Sequence, residues 1–223
     1  MEYPTDYEIG VDEVGRGCFY GPVVAAAVVL PLEMPEDQWT MIRDSKKLSE
    51  KKRGMLADFI KEHALYYGIA EASVQEIDTI NILKASLKAM HRAIHIAYTE
   101  HRRKSIPCFK HIYVDGNHFI PYLPPGEDSE YVPYTCIEQG DNKKMNIAAA
   151  SILAKTYRDQ WIQDMCEKNP ILKEYDMHNN KGYGTKKHME ALKEKGPVEG
   201  HRMTFKPVKE ALLKHSISVP SSS

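Results

Sequence analysis

Apolar residues along this chain occur in short runs that predict β-strands. Two runs open the sequence, at about residues 7–14 and 23–30, and the second is long, β-branched and uncharged. Runs of this length and composition are typical of buried strands. Three shorter runs, at about 65–73, 111–114 and 134–138, contain Tyr, Ile or Val and predict three further strands.

Apolar residues that recur every three or four positions predict helices between and after these strands. The clearest example runs from about Asn81 to Arg103. Other helices are predicted from Ser49 to about His63, from about Met145 to Lys168, from Thr185 to about Lys195 and over 206–214, and Pro31 to Gln38 is predicted to be a loop. Because helices first alternate with strands and then cluster late, this order predicts an α/β fold, with a mixed central sheet flanked by helices and a helical C-terminal region.

Length and composition predict a globular protein with one domain over residues 1–223. Within it we expect the helical C-terminal region at about 170–215 and a disordered tail at about 216–223. No run approaches the roughly 20 apolar residues of a membrane span. The acidic N-terminus lacks a signal-peptide pattern, so we expect a cytoplasmic protein. The four cysteines contain no CxxC pair, and neither a disulfide framework nor a zinc site is expected.

A charged and glycine-rich segment separates the first two strands. Asp12 and Glu13 end the first strand, where two adjacent carboxylates repel each other unless a cation lies between them. Gly15 and Gly17 follow, and glycine allows the backbone to approach a ligand closely. Arg16 between them can donate hydrogen bonds to a phosphate. This combination indicates a phosphodiester site, and the alternative is a tight hairpin turn whose charges are only solvated.

Two further carboxylates follow predicted strands. Asp115 ends the fourth strand, and Asp141 comes after the fifth. Because ligands gather outside strand ends in an open α/β sheet, we expect them to join Asp12 and Glu13. Four carboxylates together would bind two Mg²⁺ or Mn²⁺ ions. Two such ions about 4 Å apart can activate water and stabilise the leaving oxygen in phosphodiester hydrolysis. Taken singly, Asp115 is typical of a turn and Asp141 of a helix cap.

Short motifs along the chain carry a resemblance to a known family. In chain order they are VDEVGRG (11–17), GPVVAA (21–26), DSKKLS (44–49), NIL (81–83), VDGN (114–117), GD (140–141), IAAASILAK (147–155) with RD (158–159), KGYGT (181–185), and HR (201–202) with Phe205. Together they resemble the ribonuclease HII family, the type 2 ribonucleases H, and the match extends from about Glu8 to Val208.

The resemblance implies a ribonuclease H-like fold whose helical C-terminal region binds substrate. It also implies a two-metal endoribonuclease that cuts the phosphodiester 5′ of a ribonucleotide in duplex DNA, and the RNA strand of RNA–DNA hybrids. The products would carry 3′-hydroxyl and 5′-phosphate ends. Such an enzyme would serve DNA repair and replication by removing embedded ribonucleotides and RNA primers.

Motif positions assign the family's functional residues to this chain. The catalytic and metal-binding carboxylates fall on Asp12, Glu13, Asp115 and Asp141. The glycine-arginine-glycine motif falls on Gly15, Arg16 and Gly17, and it would read the 2′-hydroxyl, the group that distinguishes RNA from DNA. The junction-sensing tyrosine falls on Tyr183, whose ring would stack against the deoxyribose that follows the ribonucleotide.

Local basic residues must supply the phosphate contacts, because a net charge of −1 gives no overall attraction for nucleic acid. The candidates are Lys46, Lys47, Lys143, Lys144, Lys181 and Arg202. The alternative for each lysine is a solvated surface charge. Asp159 is interpreted as structural, and it is the main rival of Asp141 as the fourth ligand.

Two segments depart from the family pattern, Cys18-Phe19-Tyr20 and Lys144-Met145-Asn146, and both bear on substrate fit. Type 3 enzymes carry threonine in place of Arg16 and an extra N-terminal domain, so type 2 is preferred over a type 3-like enzyme that cuts only longer hybrids. The remaining alternatives are a non-catalytic hybrid-binding module and another nuclease or integrase of the same fold. We expect a monomer, and no motif for binding a sliding clamp is evident.

Overall fold

A mixed five-stranded sheet forms in the residues that the computed structural model describes, namely 1–43, 49–127 and 129–217. Its strands are β1 (Glu8–Val14), β2 (Val23–Val29), β3 (Tyr66–Ala72), β4 (His111–Asp115) and β5 (Tyr134–Ile137), in the spatial order β3–β2–β1–β4–β5. β1 is antiparallel to β2 and parallel to β4, and β4 is parallel to β5. The predicted strands and the mixed character of the sheet are confirmed.

Helices precede, separate and follow these strands. They are α1 (Glu36–Arg43), α2 (Glu50–His63), α3 (Val74–Ile80), α4 (Ile82–Lys104), α5 (Met145–Lys168), α6 (Met177–Asn180), α7 (Lys186–Lys195) and α8 (Lys206–Ile217), with 3-10 turns at Gly140–Asn142 and Pro170–Tyr175. α5 has the bounds that its apolar pattern predicts. None of the helices in the described residues is long and apolar enough to cross a membrane.

Three helices, α1, α3 and α6, lie where the sequence pattern predicts none. α1 begins at Glu36, within the loop predicted at Pro31 to Gln38, and it buries Trp39 and Ile42. α3 begins with a capping box, in which Ser73 and Glu76 exchange hydrogen bonds between side chain and backbone. The three helices have 8, 7 and 4 residues, which is too short for an apolar period to stand out.

The described residues group into two compact units, each assembled from three separate stretches. Unit 1 comprises Met1–Val14, Val24–Glu71 and Ser86–Tyr157, and unit 2 comprises Gly15–Val23, Ala72–Ala85 and the chain from Arg158 onward. The single domain predicted over residues 1–223 stays a prediction. The predicted tail beyond residue 217 lies outside the described residues, and so do Lys46 and Lys47.

Unit 1 has a core in which the start of α5 packs on β1 and β2. β2 is buried along its whole length, and residues 148–150 of α5 belong to the same apolar cluster. A Cβ on Gly10 of β1 would overlap the backbone of Asn146. The buried Asn146 amide donates to the carbonyl of Glu8 at 2.8 Å and accepts the N–H of Leu30 at 3.2 Å. These bonds hold α5 beside the strand that carries Asp12.

Unit 2 has its own apolar core and a buried pair of histidines. The core includes Tyr20, Ile162, Leu172, Tyr175, Leu192 and Val208. His188 and His201 lie within it, with their Nε2 atoms 3.0 Å apart. Asp78 of α3 accepts hydrogen bonds from the backbone N–H groups of residues 203 and 204. Direct contacts therefore join the stretches from which unit 2 is built.

Candidate active site

Strand register brings Asp12 next to Asp115. In the parallel pair of β1 and β4, Val11 lies opposite Val114. The residues that follow them, Asp12 in β1 and Asp115 at the end of β4, therefore lie next to each other on adjacent strands. Asp12 is only 6% exposed, whereas Glu13 and Asp115 are half-buried. The sheet thus brings together three of the predicted carboxylates.

The surroundings of Asp12 disfavour its charged form. Burial, followed by the like charges of Glu13 and Asp115, raises the pKa of this carboxyl well above its usual value. Two hydrogen bonds offset part of this effect, one from the side chain of Ser151 in α5 and one from the N–H of Glu13 at 2.7 Å. A divalent cation would remove the repulsion, so this group of carboxylates fits a hard cation.

Asp141 is linked to the same group through Asp115. It lies in the 3-10 turn Gly140–Asn142, which follows β5. Asp115 Oδ1 accepts the N–H of Gly140 at 2.6 Å, and this bond ties the turn to the end of β4. Because α5 begins only at Met145, Asp141 does not occupy the capping position of that helix.

Metal binding would require some movement of these side chains. Within the described ranges, no three His, Cys, Asp or Glu side chains already form a ligand set for one ion. Glu13, Asp115 and Asp141 are each half-buried, so they keep access to an incoming ion. Carboxylate oxygens are the ligands that Mg²⁺ and Mn²⁺ prefer, and the donor chemistry therefore suits these metals.

Gly15, Arg16 and Gly17 form a turn at the start of unit 2, with Gly15 buried. Gly15 has a φ of 93°, which glycine adopts without strain, and its carbonyl accepts the N–H of Cys18 at 3.3 Å. Arg16 and Gly17 are exposed. No atom of the described residues lies within 4 Å of a Cβ built on Gly17. The backbone at Gly17 is therefore open to close approach by a ligand.

Tyr183 belongs to the same unit and lies beside Cys18. The two residues form an isolated antiparallel bridge. The Tyr183 side chain is 40% exposed, and the centre of its ring lies 5.9 Å from Cζ of Arg158. Burial, followed by the influence of Cys18, raises the pKa of Tyr183. The phenol is therefore neutral near pH 7.

Comparison with known proteins decides the family. The family model for ribonuclease HII matches residues 9–208. The chain belongs to the ribonuclease HII family. Among its relatives, ribonuclease HII of Christiangramia forsetii is 45% identical over 203 residues, which are 91% of this chain and 92% of that one. Ribonuclease HII of Trichodesmium erythraeum is 45% identical over 205 residues, 92% of this chain and 89% of that one.

Solved structures confirm the ribonuclease H-like fold. Ribonuclease H2 from Pyrococcus horikoshii superimposes with a TM-score of 0.74 at 22% identity, covering 94% of this chain and 98% of that one. Bst-RNase HIII in complex with Mn²⁺ has a TM-score of 0.69 at 17% identity, covering 96% of this chain and 71% of that one. As a ribonuclease HII, the protein is a hydrolase, a metal-dependent endoribonuclease of the ribonuclease H type.

The lysines predicted to contact phosphate differ in their surroundings. Lys143 is exposed, and Lys181 is half-buried with a positive φ of 52°. Lys144 is already engaged, since its Nζ lies 2.8 Å from Glu2 Oε2 and 4.2 Å from the centre of the Tyr113 ring. Lys143 is therefore more accessible than Lys144.

Arg202 is not placed for the phosphate contact predicted for it. The side chain is fully buried, and its guanidinium donates to the carbonyl oxygens of Gly21 and Arg16, each at 2.9 Å. Burial lowers the pKa of Arg202 to about 10. The structure thus corrects the prediction, because the guanidinium binds the loop that follows β1 and does not reach the surface.

The residues that depart from the ribonuclease HII pattern have packing roles. Cys18 and Tyr20 are buried, and a Cβ on Gly184 would overlap the ring of Phe19. Met145 lies in the core of unit 1. The Cys18-Phe19-Tyr20 segment therefore shapes the support beneath the turn that carries Tyr183. None of the four cysteines forms a disulfide.

The contacts of two side chains, Ser151 and Arg158, could not be predicted from the sequence. Ser151 lies in a run of small residues, and nothing in that run identifies the one hydroxyl that bonds Asp12. Arg158 is fully buried although arginine is usually exposed. In the sequence, only its position in a motif with Asp159 distinguishes it from other arginines. Asp159 is 5% exposed and acts electrostatically on Tyr183 within unit 2.

Proposed function

We propose that this ribonuclease HII hydrolyses the phosphodiester on the 5′ side of ribonucleotides embedded in duplex DNA, as well as the RNA strand of RNA–DNA hybrids. The observation that carries the proposal is the register that sets Asp12 beside Asp115, with Glu13 next in the chain. A nearly buried carboxylate between two like charges is unfavourable without a cation, and such sites are typically functional. The products would be a 3′-hydroxyl and a 5′-phosphate.

We assign the catalytic and metal-binding role to Asp12, Glu13, Asp115 and Asp141. These residues would hold a pair of Mg²⁺ or Mn²⁺ ions, which would supply an activated water and stabilise charge on the leaving oxygen. Ser151 and the N–H of Glu13 orient the Asp12 carboxylate, and the N–H of Gly140 orients that of Asp115. This anchoring fixes two carboxylates before substrate arrives.

We assign recognition of the ribonucleotide to the turn of Gly15, Arg16 and Gly17, and recognition of the next sugar to Tyr183. The open backbone at Gly17 supports a close contact with a 2′-hydroxyl. The exposed Tyr183 ring supports stacking on a deoxyribose, where an additional 2′-hydroxyl would be crowded. Phosphate contacts are assigned to Lys143 and Lys181, and Lys46 and Lys47 keep their predicted role outside the described residues.

The test uses a labelled DNA duplex with one embedded ribonucleotide and, in parallel, an all-RNA strand paired with DNA. Each is incubated with Mg²⁺ or Mn²⁺, the latter because Bst-RNase HIII was solved with that ion. Asp12→Asn and Asp141→Asn should abolish a nick 5′ of the ribonucleotide, and Asp159→Asn should retain it. Matched binding measurements with each variant separate loss of chemistry from loss of affinity.

Each other outcome points to a different function. Cleavage of the hybrid without nicking of the single-ribonucleotide duplex would favour a type 3-like enzyme. Binding without cleavage of either substrate, under both metals, would favour a hybrid-binding module. Loss of activity in Asp159→Asn and not in Asp141→Asn would move the fourth ligand to Asp159.

We also propose that the protein acts as a monomer in the cytoplasm. The related ribonuclease HII of Archaeoglobus fulgidus was solved in a complex with PCNA, and it shares 25% identity with this chain at a TM-score of 0.65. No clamp-binding motif is evident in the present sequence, so the proposed partner is the nucleic acid alone. Light scattering of the purified protein, with and without duplex, measures how many protein chains each particle contains and so tests the proposed monomer.

A further inference from the structure

Two arginines of unit 2, Arg158 and Arg202, are fully buried. Buried arginines are rare, because a charge removed from water must be compensated by hydrogen bonds. Arg158 donates from Nε to the carbonyl of Pro22 at 3.1 Å, from Nη1 to that of Lys181 at 2.7 Å, and from Nη2 to that of Tyr20 at 2.8 Å. Its hydrogen bonds thus end on backbone oxygens of two different loops.

Arg202 binds the first of these loops from a second position. Its Nε donates to the carbonyl of Gly21 and its Nη1 to that of Arg16, while Nη2 is buried and has no hydrogen-bond partner among the described residues. We call residues 15–22 the recognition loop. Four of its carbonyl oxygens are therefore held by two guanidinium groups.

Arg158 also touches both elements assigned to substrate recognition. A Cβ on Gly15 would overlap Nε of Arg158, so the guanidinium lies directly against the start of the recognition loop. On its other side Arg158 lies beneath the ring of Tyr183. One buried side chain therefore contacts the beginning and the end of the recognition loop, together with the turn that carries the tyrosine.

We propose that Arg158 and Arg202 are positioning residues that set the recognition loop and Tyr183 in the one arrangement that distinguishes an RNA–DNA junction. This inference rests on the proposed function of these two elements. A planar guanidinium presents five donors in a fixed fork and reaches several carbonyls at once, whereas a lysine ammonium is a compact point charge. Lysine would keep the charge and lose the geometry, so an Arg-to-Lys exchange isolates the positioning role.

The two glycines of the recognition motif differ accordingly. Gly15 must be glycine because of its positive φ and the contact with Arg158. A Cβ built on Gly17 would meet no described atom within 4 Å, so this side of the backbone is open to a ligand. Gly15 is therefore needed for the close packing against Arg158, and Gly17 for the close approach of the substrate.

The test compares Arg158→Lys and Arg202→Lys with the wild type, and Arg103→Lys in the exposed end of α4 is the matched control. Hydrogen exchange of the free protein follows the amides of Phe19 and Gly21, which bond the carbonyls of Gly182 and Gly200 at 2.8 and 3.0 Å. Kinetics give kcat/KM for a single-ribonucleotide duplex and for an all-RNA hybrid. The ratio of the two values is independent of the fraction of active protein.

We expect faster exchange of both amides in both variants, with strand β1 unchanged. We also expect the junction-to-hybrid ratio to fall by about tenfold to a hundredfold, as displacement of positioned groups by about 1 Å can produce. Unchanged exchange, or an unchanged ratio in the folded variants, would overturn the proposal. If a lysine variant does not fold, Gly15→Ala replaces it, because the added methyl displaces the Arg158 guanidinium while neither arginine is substituted. If the wild type cuts neither substrate, the proposed function fails, and the exchange data alone decide whether the arginines hold the loop.

Discussion

Ionised Asp12 destabilises the folded protein when no metal is present. Its pKa is raised on folding, so the folded state holds this proton more tightly than the unfolded chain does. The stabilising contribution is complete below the unfolded-state pKa of about 3.9. It is lost as the pH rises through the folded-state pKa, and at neutral pH the charge opposes folding.

We therefore predict that Asp12→Asn stabilises the metal-free protein at neutral pH. The gain should be about 1 kcal/mol, or roughly 2–4 °C in melting temperature, since removing strained functional groups commonly stabilises a protein by this amount. Calorimetry in a chelating buffer measures it, with the exposed Asp58→Asn in α2 as control. A gain that did not shrink between pH 7 and about pH 4 would mean that the charge is not its cause.

Individual residues of the site were predictable where strand ends define them. Asp12 and Asp115 follow apolar runs, and parallel pairing then places them side by side. The roles of Arg158 and Arg202 were not predictable, because they bind backbone carbonyls more than a hundred residues away in the sequence, at Tyr20 and Gly21. Every residue has a backbone carbonyl, so the sequence does not indicate which carbonyl a buried arginine will bind. Only the folded structure shows which side chain donates a hydrogen bond to it.

At the level of elements, the packing of β1 on α5 depends on Gly10. We predict that Gly10→Ala destabilises the protein by about 1–3 kcal/mol, because the added methyl overlaps the backbone at Asn146. Gly54→Ala in α2 is the matched control, since a Cβ there meets no described atom beyond its own helix. Alanine at that position should stabilise the helix by about 0.5–1 kcal/mol. Urea titration compares the two, and equal effects would contradict the overlap.

Long and strongly patterned elements were predictable, and short ones were not. α5 contains a continuous run of small and apolar residues, and its predicted and observed bounds agree. α1 and α3 have about two turns each, so hydrogen bonds at Ser73 and burial of Trp39 determine them more than any period does. Tertiary contacts decide such helices, and a single sequence does not display them.

For the molecule as a whole, the buried histidine pair makes stability depend on pH. His188 Nδ1 donates to the carbonyl of Tyr183 at 2.9 Å, and His201 Nδ1 accepts the N–H of Val198 at 3.0 Å. His201 Nδ1 also lies 3.0 Å from the carbonyl oxygen of Val198. When both rings are neutral, the network is satisfied with His201 Nδ1 accepting the Val198 N–H and His201 Nε2 donating to Nε2 of His188. Burial lowers both pKa values, that of His201 to about 4, and protonation would break this network.

We predict that acidification destabilises unit 2 through this histidine pair. A depressed histidine pKa contributes stability above the unfolded-state value of about 6.5, and this contribution is lost as the pH falls toward about 4. The loss is on the order of 2–3 kcal/mol. Melting temperatures between these pH values should fall more steeply for the wild type than for His201→Gln, with the exposed His63→Gln behaving like the wild type. Parallel curves for all three proteins would exclude the histidine pair as the cause.

Substrate affinity should depend on a few local cations. The net charge of −1 gives no attraction at long range, so each phosphate contact should appear in the salt dependence of binding. Lys143→Ala or Lys181→Ala should reduce the slope of log K against log salt by about 0.9. Lys144→Ala should change it less, because Lys144 already pairs with Glu2. Fluorescence titrations of a labelled duplex provide the slopes, and a uniform loss of affinity at constant slope would remove these lysines from the interface.

The interleaved stretches of the two units also constrain the order in which the chain can fold during synthesis. All four carboxylates and all five strands of the sheet precede residue 158, whereas the recognition loop belongs to a unit whose largest part comes later. As the chain leaves the ribosome, unit 1 can become complete while residues 15–22 still lack both of their arginines. Long-range closure of this kind is slow. A nascent chain stalled at Tyr157 would therefore carry all four proposed metal ligands before the two arginines that bind the recognition loop have been synthesised.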